Sequence, residues 1–510
     1  MTATVYDVAV VGAGPAGLAA AGAAAERGAT VVCVDGNDQP GGQFWRHPDE
    51  QARPAYDGAG HHGWKTYLRL RRRFEAGRTS GQITYLPGRH VWMLQADGGP
   101  AGGGSAGDGF VLRTNAAHDV GARPEAATVR ARRLVLCTGG HDRQLPVPGW
   151  DLPGVMAAGG IQGYLKTNGT LPGTSMVIAG TGPFLLPVAA TVAEAGGTVR
   201  AVCESTNLTG WLPRLGTAVR VPSKGLEGAE YVAALVRHRI PYRLRTAVIA
   251  ILGTDRVEAV RTARLDAAGQ PLPGTERTIE GVDTVGLGWG FTPQLELPVS
   301  LGAATTTDAD GSLICTVDGR QESSVPGLYL AGEITGVGGA VLAVAEGEIA
   351  GAAAGGRAGQ GRRREDRTVR THRAFARAMH EAHPVPAGWQ EWLEDDTIVC
   401  RCEEVTAGEI TGARDDLGAA DARSMKSMTR AGMGWCQGRM CGFAAACLAV
   451  GGVADEASLR SVAKRPVAHP ITLAEVAALG EPPTIDEPDA RLRAAALDYQ
   501  LPPDPQPPHA

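Results

Sequence analysis

The run Gly12-Ala13-Gly14-Pro15-Ala16-Gly17 limits what this chain can fold into more than any other feature. It follows Val5 to Val11, which read as a strand of a buried parallel sheet. It precedes an alanine-rich helix, Leu18 to Arg27, and a second strand, Thr30 to Val34. Gly12 allows the tight turn, Gly14 lets the backbone approach a pyrophosphate, and Gly17 lets helix and strand pack closely. The helix N-terminus then faces the phosphates, where unpaired N–H groups and the dipole favour an anion. Asp35 ends the second strand, where a carboxylate can accept from ribose hydroxyls. A nucleotide site is therefore expected. The uncharged stretch Val8 to Ala25 mimics a signal or membrane segment. Glycine and proline interrupt it and no Lys or Arg precedes it, so the strand–turn–helix reading is preferred.

At 510 residues the chain exceeds one ordinary domain. A second βαβ unit begins with the strand Met176–Ala179, turns through Gly180-Thr181-Gly182, continues as a helix to Ala195 and ends in the strand Thr198–Val202. Two such units in one chain suggest that one is nested within the other. In this second turn Leu185 stands where a third glycine belongs. A leucine there pushes helix from strand and obstructs a pyrophosphate, although Glu204 could serve a ribose. The unit reads as degenerate, kept for packing or subunit contact, and NAD(P) as a doubtful ligand.

Gly98 to Gly109 reads as a flexible surface loop, and Gly355 to Arg373, rich in arginine, as a solvated linker and helix start. From Glu481 onward the chain is proline-rich and expected to be extended. A net charge of −5 offers no footprint for nucleic acid. No other stretch suggests a transmembrane segment, so the expected location is cytoplasmic, peripheral to a membrane only through a complex.

Two further motifs extend the nucleotide signature. Thr138-Gly139-Gly140 follows the apolar strand Leu134–Cys137, and its small residues let the chain pass close to a bound nucleotide. Gly332-Glu333 closes the strand Gly327–Ala331, and a helix then starts at Gly338-Gly339-Ala340. The Glu333 carboxylate can accept from a ribityl hydroxyl or cap the helix, and the helix N-terminus can stabilise charge on a reduced flavin ring.

Cys400, Cys402, Cys436 and Cys441 form C-x-C and C-x4-C pairs, a four-thiolate set suited to zinc or an iron–sulfur cluster. With a nucleotide fold upstream, electron transfer is the favoured use and [2Fe–2S] the favoured occupant. The remaining cysteines, Cys33, Cys137, Cys203, Cys315 and Cys447, read mostly as buried free thiols in a reducing compartment.

Gly12 to Gly17, Asp35, the Gly41-Gly42-Gln43 turn, Thr138-Gly139 and Gly332-Glu333 together resemble the two-dinucleotide-binding-domain flavoproteins. The resemblance implies an α/β chain of two nested Rossmann-like domains of the pyridine nucleotide-disulfide oxidoreductase type, with FAD in the first. It implies cofactor contacts at Gly12, Gly14, Pro15, Ala16, Gly17, Asp35, Gly42, Gln43, Thr138, Gly139, Gly332, Glu333, Gly339 and Ala340. The expected layout is a discontinuous FAD domain at 1–154 and 281–355, an insert at 155–280, a linker at 356–395, a small helical [2Fe–2S] domain at 396–455 and a tail at 456–510. The family's redox disulfide is missing, since Gly41-Gly42-Gln43-Phe44-Trp45 lacks cysteine and Cys137 has no C-x-x-C partner.

The cysteine segment, with Lys426, Thr429 to Gly434 and Gln437-Gly438-Arg439-Met440 around it, resembles the bacterioferritin-associated-ferredoxin type. The order of domains is similar to the A or alpha subunits of opine oxidases and D-hydroxyproline dehydrogenases and the B subunit of hydrogen cyanide synthase. That resemblance implies an electron-relay subunit of a heteromeric amine dehydrogenase. Its partner would be a flavin beta subunit like D-amino-acid or glycine oxidases. A small gamma subunit stays open, as does an FMN at a subunit interface. Two rival readings also stay open: a self-contained NAD(P)H-dependent flavin reductase, and a scaffold holding the cluster and an ADP-like nucleotide such as ATP. No catalytic acid or base is assigned, and His61, His62 and Arg46 read as structural or flavin-adjacent.

Overall fold

The computed structural model describes residues 4–53, 56–58, 60–96, 109–117, 127–356 and 363–477. Residues 98–108 of the glycine-rich stretch and the proline-rich tail from Glu481 lie outside them.

The Val5–Val11 strand sits inside a seven-stranded sheet, paired in parallel with Val31–Val34 on one side and Ala127–Leu136 on the other. Ile83–Leu86 extends the sheet beyond Val31–Val34, and the antiparallel strands Phe110–Ala116 and Arg89–Ala96 extend the opposite side. Leu328–Leu330 pairs in parallel with Ala127–Leu136, with Leu330 beside Leu136. That pairing returns Gly332-Glu333 to the first glycine turn from far along the sequence. The Pro15–Ala25 and Ala340–Ala354 helices then pack almost backbone to backbone. A Cβ on Gly347 would lie 2.2 Å from the Ala16 carbonyl oxygen, and one on Gly351 2.1 Å from that of Ala20. Alanine and glycine dominate this seam because anything larger would part the helices.

The inserted unit is a parallel five-stranded sheet in the order Tyr242–Leu244, Thr198–Glu204, Ser175–Gly180, Thr284–Gly288, Val155–Ala157. The strand Thr284–Gly288 lies beyond residue 280, where the sequence placed the end of the insert. Its Val285, paired with Val155 and Val177, binds it to the second sheet. A three-stranded antiparallel sheet, Thr246–Leu252, Ala259–Arg264 and Arg277–Glu280, lies within the same stretch.

The region read as a solvated linker contains a 20-residue helix, Arg363–Ala382. Its arginines are not all solvated. Arg373 donates to the Gly336 carbonyl (2.7 Å) and Thr335 Oγ1 (3.0 Å) and pairs with Glu346. Glu346 is buried and also accepts from the Gly332 N–H and Thr335 Oγ1, both at 2.9 Å. Burial raises its carboxyl above the usual range, opposed mainly by Arg373. Arg373→Ala strands a buried carboxylate. It should cost about 2–3 kcal/mol in urea unfolding, below the 3–5 typical of a fully buried pair because Arg373 is 31% exposed. Downstream, His380, His383, Trp389 and Trp392 are buried.

The C-terminal region packs four helices, Ala407–Asp415, Ala422–Thr429, Gly442–Val450 and Glu456–Ala463, behind a two-stranded ribbon, Ile398–Cys400 and Val405–Thr406, and the last of these helices lies where the sequence placed the start of an extended tail. Thr406 and Glu409 form a reciprocal capping box that fixes where the first helix begins. This region seats on the first unit. Trp150 Nε1 donates to the Ile398 carbonyl, Arg401 lies over the Trp150 ring at 5.1 Å, and Arg439 pairs with Glu296 at 3.0 Å. Arg143, 1% exposed, binds Asp310 at 3.0 Å and stacks on Phe443 at 4.3 Å, so it touches both sides of the junction. Among the described residues no helix is long and apolar enough to cross a membrane.

Candidate cofactor sites

The first glycine turn gathers most of the residues singled out from the sequence. Gly12 has φ +96°, and a Cβ there would meet the Cys137 carbonyl oxygen at 2.4 Å. A Cβ on Gly17 would lie 1.7 Å from the Gly12 carbonyl oxygen. Both are glycine for the fold's sake. Gly14 differs: the nearest atom to its added Cβ is Gly42 Cα at 3.8 Å, so one side of it is open. Pro15 is the first residue of the helix, where its missing N–H costs nothing, and Gly14 offers no side-chain cap. The helix start thus keeps its donors for a ligand. The Gly41 N–H donates to the Ala13 carbonyl (2.9 Å) and draws the Gly41-Gly42-Gln43 turn beside Gly14, with Gln43 exposed. Gly332 closes the other side: its added Cβ would be 3.2 Å from Ala16 Cβ.

Asp35 is buried, yet its Oδ2 has no hydrogen-bond partner, while Oδ1 accepts weakly from Asn37 Nδ2 at 3.4 Å. Burial pushes its carboxyl up to about 6, against backbone donors from Asn37 and Ala13. An orphaned buried oxygen at a strand end, beside an open glycine and an uncapped helix, fits a ligand that brings hydroxyls and phosphates. Thr138 and Gly139 are tied to the neighbouring segment by Thr138 Oγ1 to the Gln294 carbonyl (2.8 Å) and Gln294 N–H to the Gly139 carbonyl (2.9 Å). Gly139 has φ +72° and open space where a Cβ would be.

Glu333 stands before the second uncapped helix start, Gly339-Ala340. Both its oxygens are engaged, accepting from the Gly338 and Gly339 N–H groups at 3.1 Å each. Burial raises its carboxyl to about 6, and those two donors oppose the rise. These bonds hold the two glycines that lead into the helix and leave its first turn without a side-chain cap, so neither role read from the sequence is drawn in full; each oxygen keeps a lone pair for a ligand hydroxyl.

The second glycine turn is closed from within. Glu204 is fully buried and accepts from the Gly182 N–H at 2.9 Å, from Thr206 Oγ1 at 2.8 Å and from Thr181 Oγ1 at 3.2 Å. Burial works against its ionisation, yet bonds from His383 and Thr206 hold its carboxyl below the usual range. A carboxylate therefore sits on the N–H that a phosphate would need, and Glu204 is not available to a ribose as the sequence reading allowed. Leu185 is buried and packs close to Gly288. His383 and Pro384 lie over the turn, with Thr206 Oγ1 3.0 Å from His383 Nδ1.

The four clustered cysteines meet at the edge of the helical region. Side-chain hydrogen bonds couple Cys400 with Cys441 and Cys402 with Cys436. The bond with Cys441 brings the Cys400 thiol down to about 5, helped by the Gly432 N–H, which donates to Cys400 Sγ at 3.4 Å. The Cys441 thiol moves up correspondingly. Four sulfurs arranged two and two, with a backbone donor aimed at one, suit a two-iron cluster. The loop is glycine-dependent: a Cβ on Gly434 would lie 2.2 Å from Cys402 Cβ, and Gly432 and Gly438 have φ +80° and +75°. Cys402 is exposed, and neighbouring Trp435 is 73% exposed, so this pair of cysteines faces the surface. Cys33, Cys137, Cys203, Cys315 and Cys447 are all buried and free.

Sequence reasoning missed Arg465 and Lys166. Arg465 is buried and donates to Gln437 Oε1 at 3.1 Å, within the cysteine loop. Lys166 donates to the Phe44 carbonyl at 3.4 Å, and burial lowers its ammonium to about 8. Lys166 lies in no motif, and Arg465, part of the Arg465-Pro466 pair after the cysteines, takes no role from the sequence; only the fold brings them to these turns. His61 is structural, bonded to the Arg46 carbonyl (2.6 Å) and the Tyr56 hydroxyl (3.0 Å).

Residues 6–348 match the family described as pyridine nucleotide-disulphide oxidoreductase, and residues 398–448 match the BFD-like [2Fe-2S] binding domain. The A subunit of opine oxidase from Rhizobium meliloti (strain 1021) is 33% identical, over 94% of this chain and 100% of that protein. The HcnB subunit of hydrogen cyanide synthase from Pseudomonas aeruginosa is 33% identical, over 85% of this chain and 90% of that protein. Among solved structures, L-proline dehydrogenase from P. horikoshii covers 93% of this chain and 79% of its own at a TM-score of 0.62 and 18% identity, a likeness of fold.

Proposed function

We propose that this chain, which belongs to the pyridine nucleotide-disulphide oxidoreductase family and carries a BFD-like [2Fe-2S] binding domain, is the electron-relay subunit of a heteromeric amine or amino-acid dehydrogenase. One observation carries the reading: the first nucleotide turn is open while Glu204 fills the second. With no free NAD(P) turn among the described residues and no redox disulfide in the sequence, this reading takes the electrons from elsewhere. Similar chains are named as parts of larger enzymes: the A subunit of opine oxidase, the HcnB subunit of hydrogen cyanide synthase and the alpha subunit of sarcosine oxidase. By that likeness a partner subunit with its own flavin would oxidise the amine. A cytoplasmic setting suits the four reduced thiols.

In this reading Gly14, the uncapped Pro15–Ala25 helix start and Gly42 bind the pyrophosphate, and Asp35 accepts from a ribose. The Ala340–Ala354 helix start faces the far end of the ligand. Cys400, Cys402, Cys436 and Cys441 ligate the iron. Bound there, a flavin takes up electrons as a pair and a [2Fe–2S] cluster passes them singly. The Gly432 N–H favours the charged form of the Cys400 sulfur, and Arg465 adds positive charge beside the loop. Exposed Cys402 and Trp435 mark the edge where electrons cross to or from another protein.

Asp35 gives a pH test. Its carboxyl titrates near 6, and the ionised form is the better acceptor for a ribose hydroxyl. Flavin affinity should rise with pH up to about 6 and flatten above, falling roughly tenfold from pH 7 to pH 5. Asp35→Asn should bind more weakly and lose that dependence; a wild-type affinity flat from pH 5 to 8 would remove Asp35 from the site.

The relay role itself is tested by purifying the chain from its native cells in mild buffer. A second flavin-bearing polypeptide in stoichiometric amount, required for amine-dependent reduction of the cluster, is the expected result. Amine oxidation by the isolated chain would contradict it. The open Gly14 turn and the unpartnered Asp35 Oδ2 suit phosphates and a ribose, which an adenine nucleotide shares with FAD, and so favour a second reading in which such a nucleotide without an isoalloxazine fills the first site. That reading predicts iron absorption with no flavin in the isolated chain.

A further inference from the structure

The Pro222–Arg237 helix turns its apolar side outward. Its inner side, against the Leu185–Glu194 helix, presents Lys224, Glu227, Tyr231 and Leu235, and of the whole helix only Leu235 is buried. Pro222, Leu226, Ala229, Ala233 and Val236 are all exposed, Leu226 to 67% and Val236 to 72%. At 3.6 residues per turn these five side chains share one face, broadened by Val232 on one flank and edged by Glu230 and Arg237 on the other. An apolar stripe of that width ordinarily faces a core, and here no described residue covers it. Leu208, Leu212, Leu215 and Val219, in the segment that leads into this helix, are also 53–71% exposed.

The order of the stripe identifies its occupant. Leu226, Ala229, Ala233 and Val236 run large, small, small, large at spacings of three, four and three, and so read alike in both directions. Two copies laid antiparallel about a two-fold axis set Leu226 against Val236 of the second copy, and Ala229 against Ala233. The small central pair lets the helices approach closely while the large ends fill the flanks. We propose that this face is a two-fold interface between two copies of this chain. Eighteen residues between Leu208 and Arg237 are exposed, just short of the roughly 20–30 a side that a standard interface of about 800 Å² per partner uses, and so suit a smaller specific contact. The inner face anchors the helix, with Tyr231 against the His62 ring at 5.5 Å. The interface does not depend on the relay reading.

Sedimentation velocity of the purified full-length chain tests it. Wild type should sediment as a dimer. Leu226→Asp puts one unpaired carboxylate per copy into the seam and should weaken association roughly a hundredfold or more, with iron and flavin contents unchanged. Register is read separately. A mixture of Ala229→Cys and Ala233→Cys chains should form a covalent dimer under mild oxidation more readily than either variant alone. A monomeric wild type overturns the proposal, as does a dimer indifferent to Leu226→Asp. Loss of binding to a different polypeptide, with the self-association intact, assigns the face to that partner and equally overturns it.

Discussion

Cys436→Ser should empty the cluster site, leaving iron near zero per chain and no visible or paramagnetic cluster signal, while the nucleotide-binding unit stays folded. A serine hydroxyl stays protonated and is a harder donor than the thiolate it replaces, so the Cys402 partner is left without its pair. The surrounding fold does not hang on this side chain. The helical region is held to the first unit by Trp150, Arg143, Arg439 and Arg460, through bonds and stacking to other residues; the one bond to Cys436, from Arg439 at 3.5 Å, goes to its backbone carbonyl, which serine keeps. Iron analysis with circular dichroism separates the two effects. Full iron content in the variant would remove Cys436 from the ligand set.

Gly14→Val should abolish cofactor binding in a chain that still folds. Its backbone has φ −73°, ordinary for any residue, and an added Cβ meets only Gly42 Cα at 3.8 Å. The new methyls therefore project into the space reserved for the pyrophosphate. Gly17→Ala is the contrasting control, because its Cβ would be driven to 1.7 Å from the Gly12 carbonyl and must part helix from strand. The first variant should lose all bound nucleotide at wild-type thermal stability; the second should lose stability as well, by several kcal/mol. Unchanged flavin content in Gly14→Val would overturn the site.

These contrasts show what can be read in the chain alone. The first turn is legible because its chemistry is local: glycines at fixed offsets, flanked by a strand and a helix. The cysteine quartet is legible because four soft donors in two close pairs suit a metal or cluster site. What escaped is set by partners distant in sequence. Arg373 looked like one arginine in a solvated run, and only Glu346, one of two acids in an alanine-rich helix, gives it a place. Glu204 has the right position for a ribose contact, and its turn inward to the Gly182 N–H follows from His383 and Thr206 packing over it. The strand Thr284–Gly288 reads equally well as part of either sheet, and its pairing with Val155–Ala157 decides. The outward stripe on Pro222–Arg237 has an ordinary helical period, which carries no information on which side faces solvent.

The relay reading rests on electrons arriving from another protein rather than from NAD(P)H. An anaerobic titration of the purified chain with NADH and then NADPH, following its visible absorption, tests this most directly. Neither nucleotide should reduce the chain, while dithionite should bleach it fully. Rapid bleaching by either nucleotide would contradict it, and would mean that Glu204 yields the second turn to a dinucleotide.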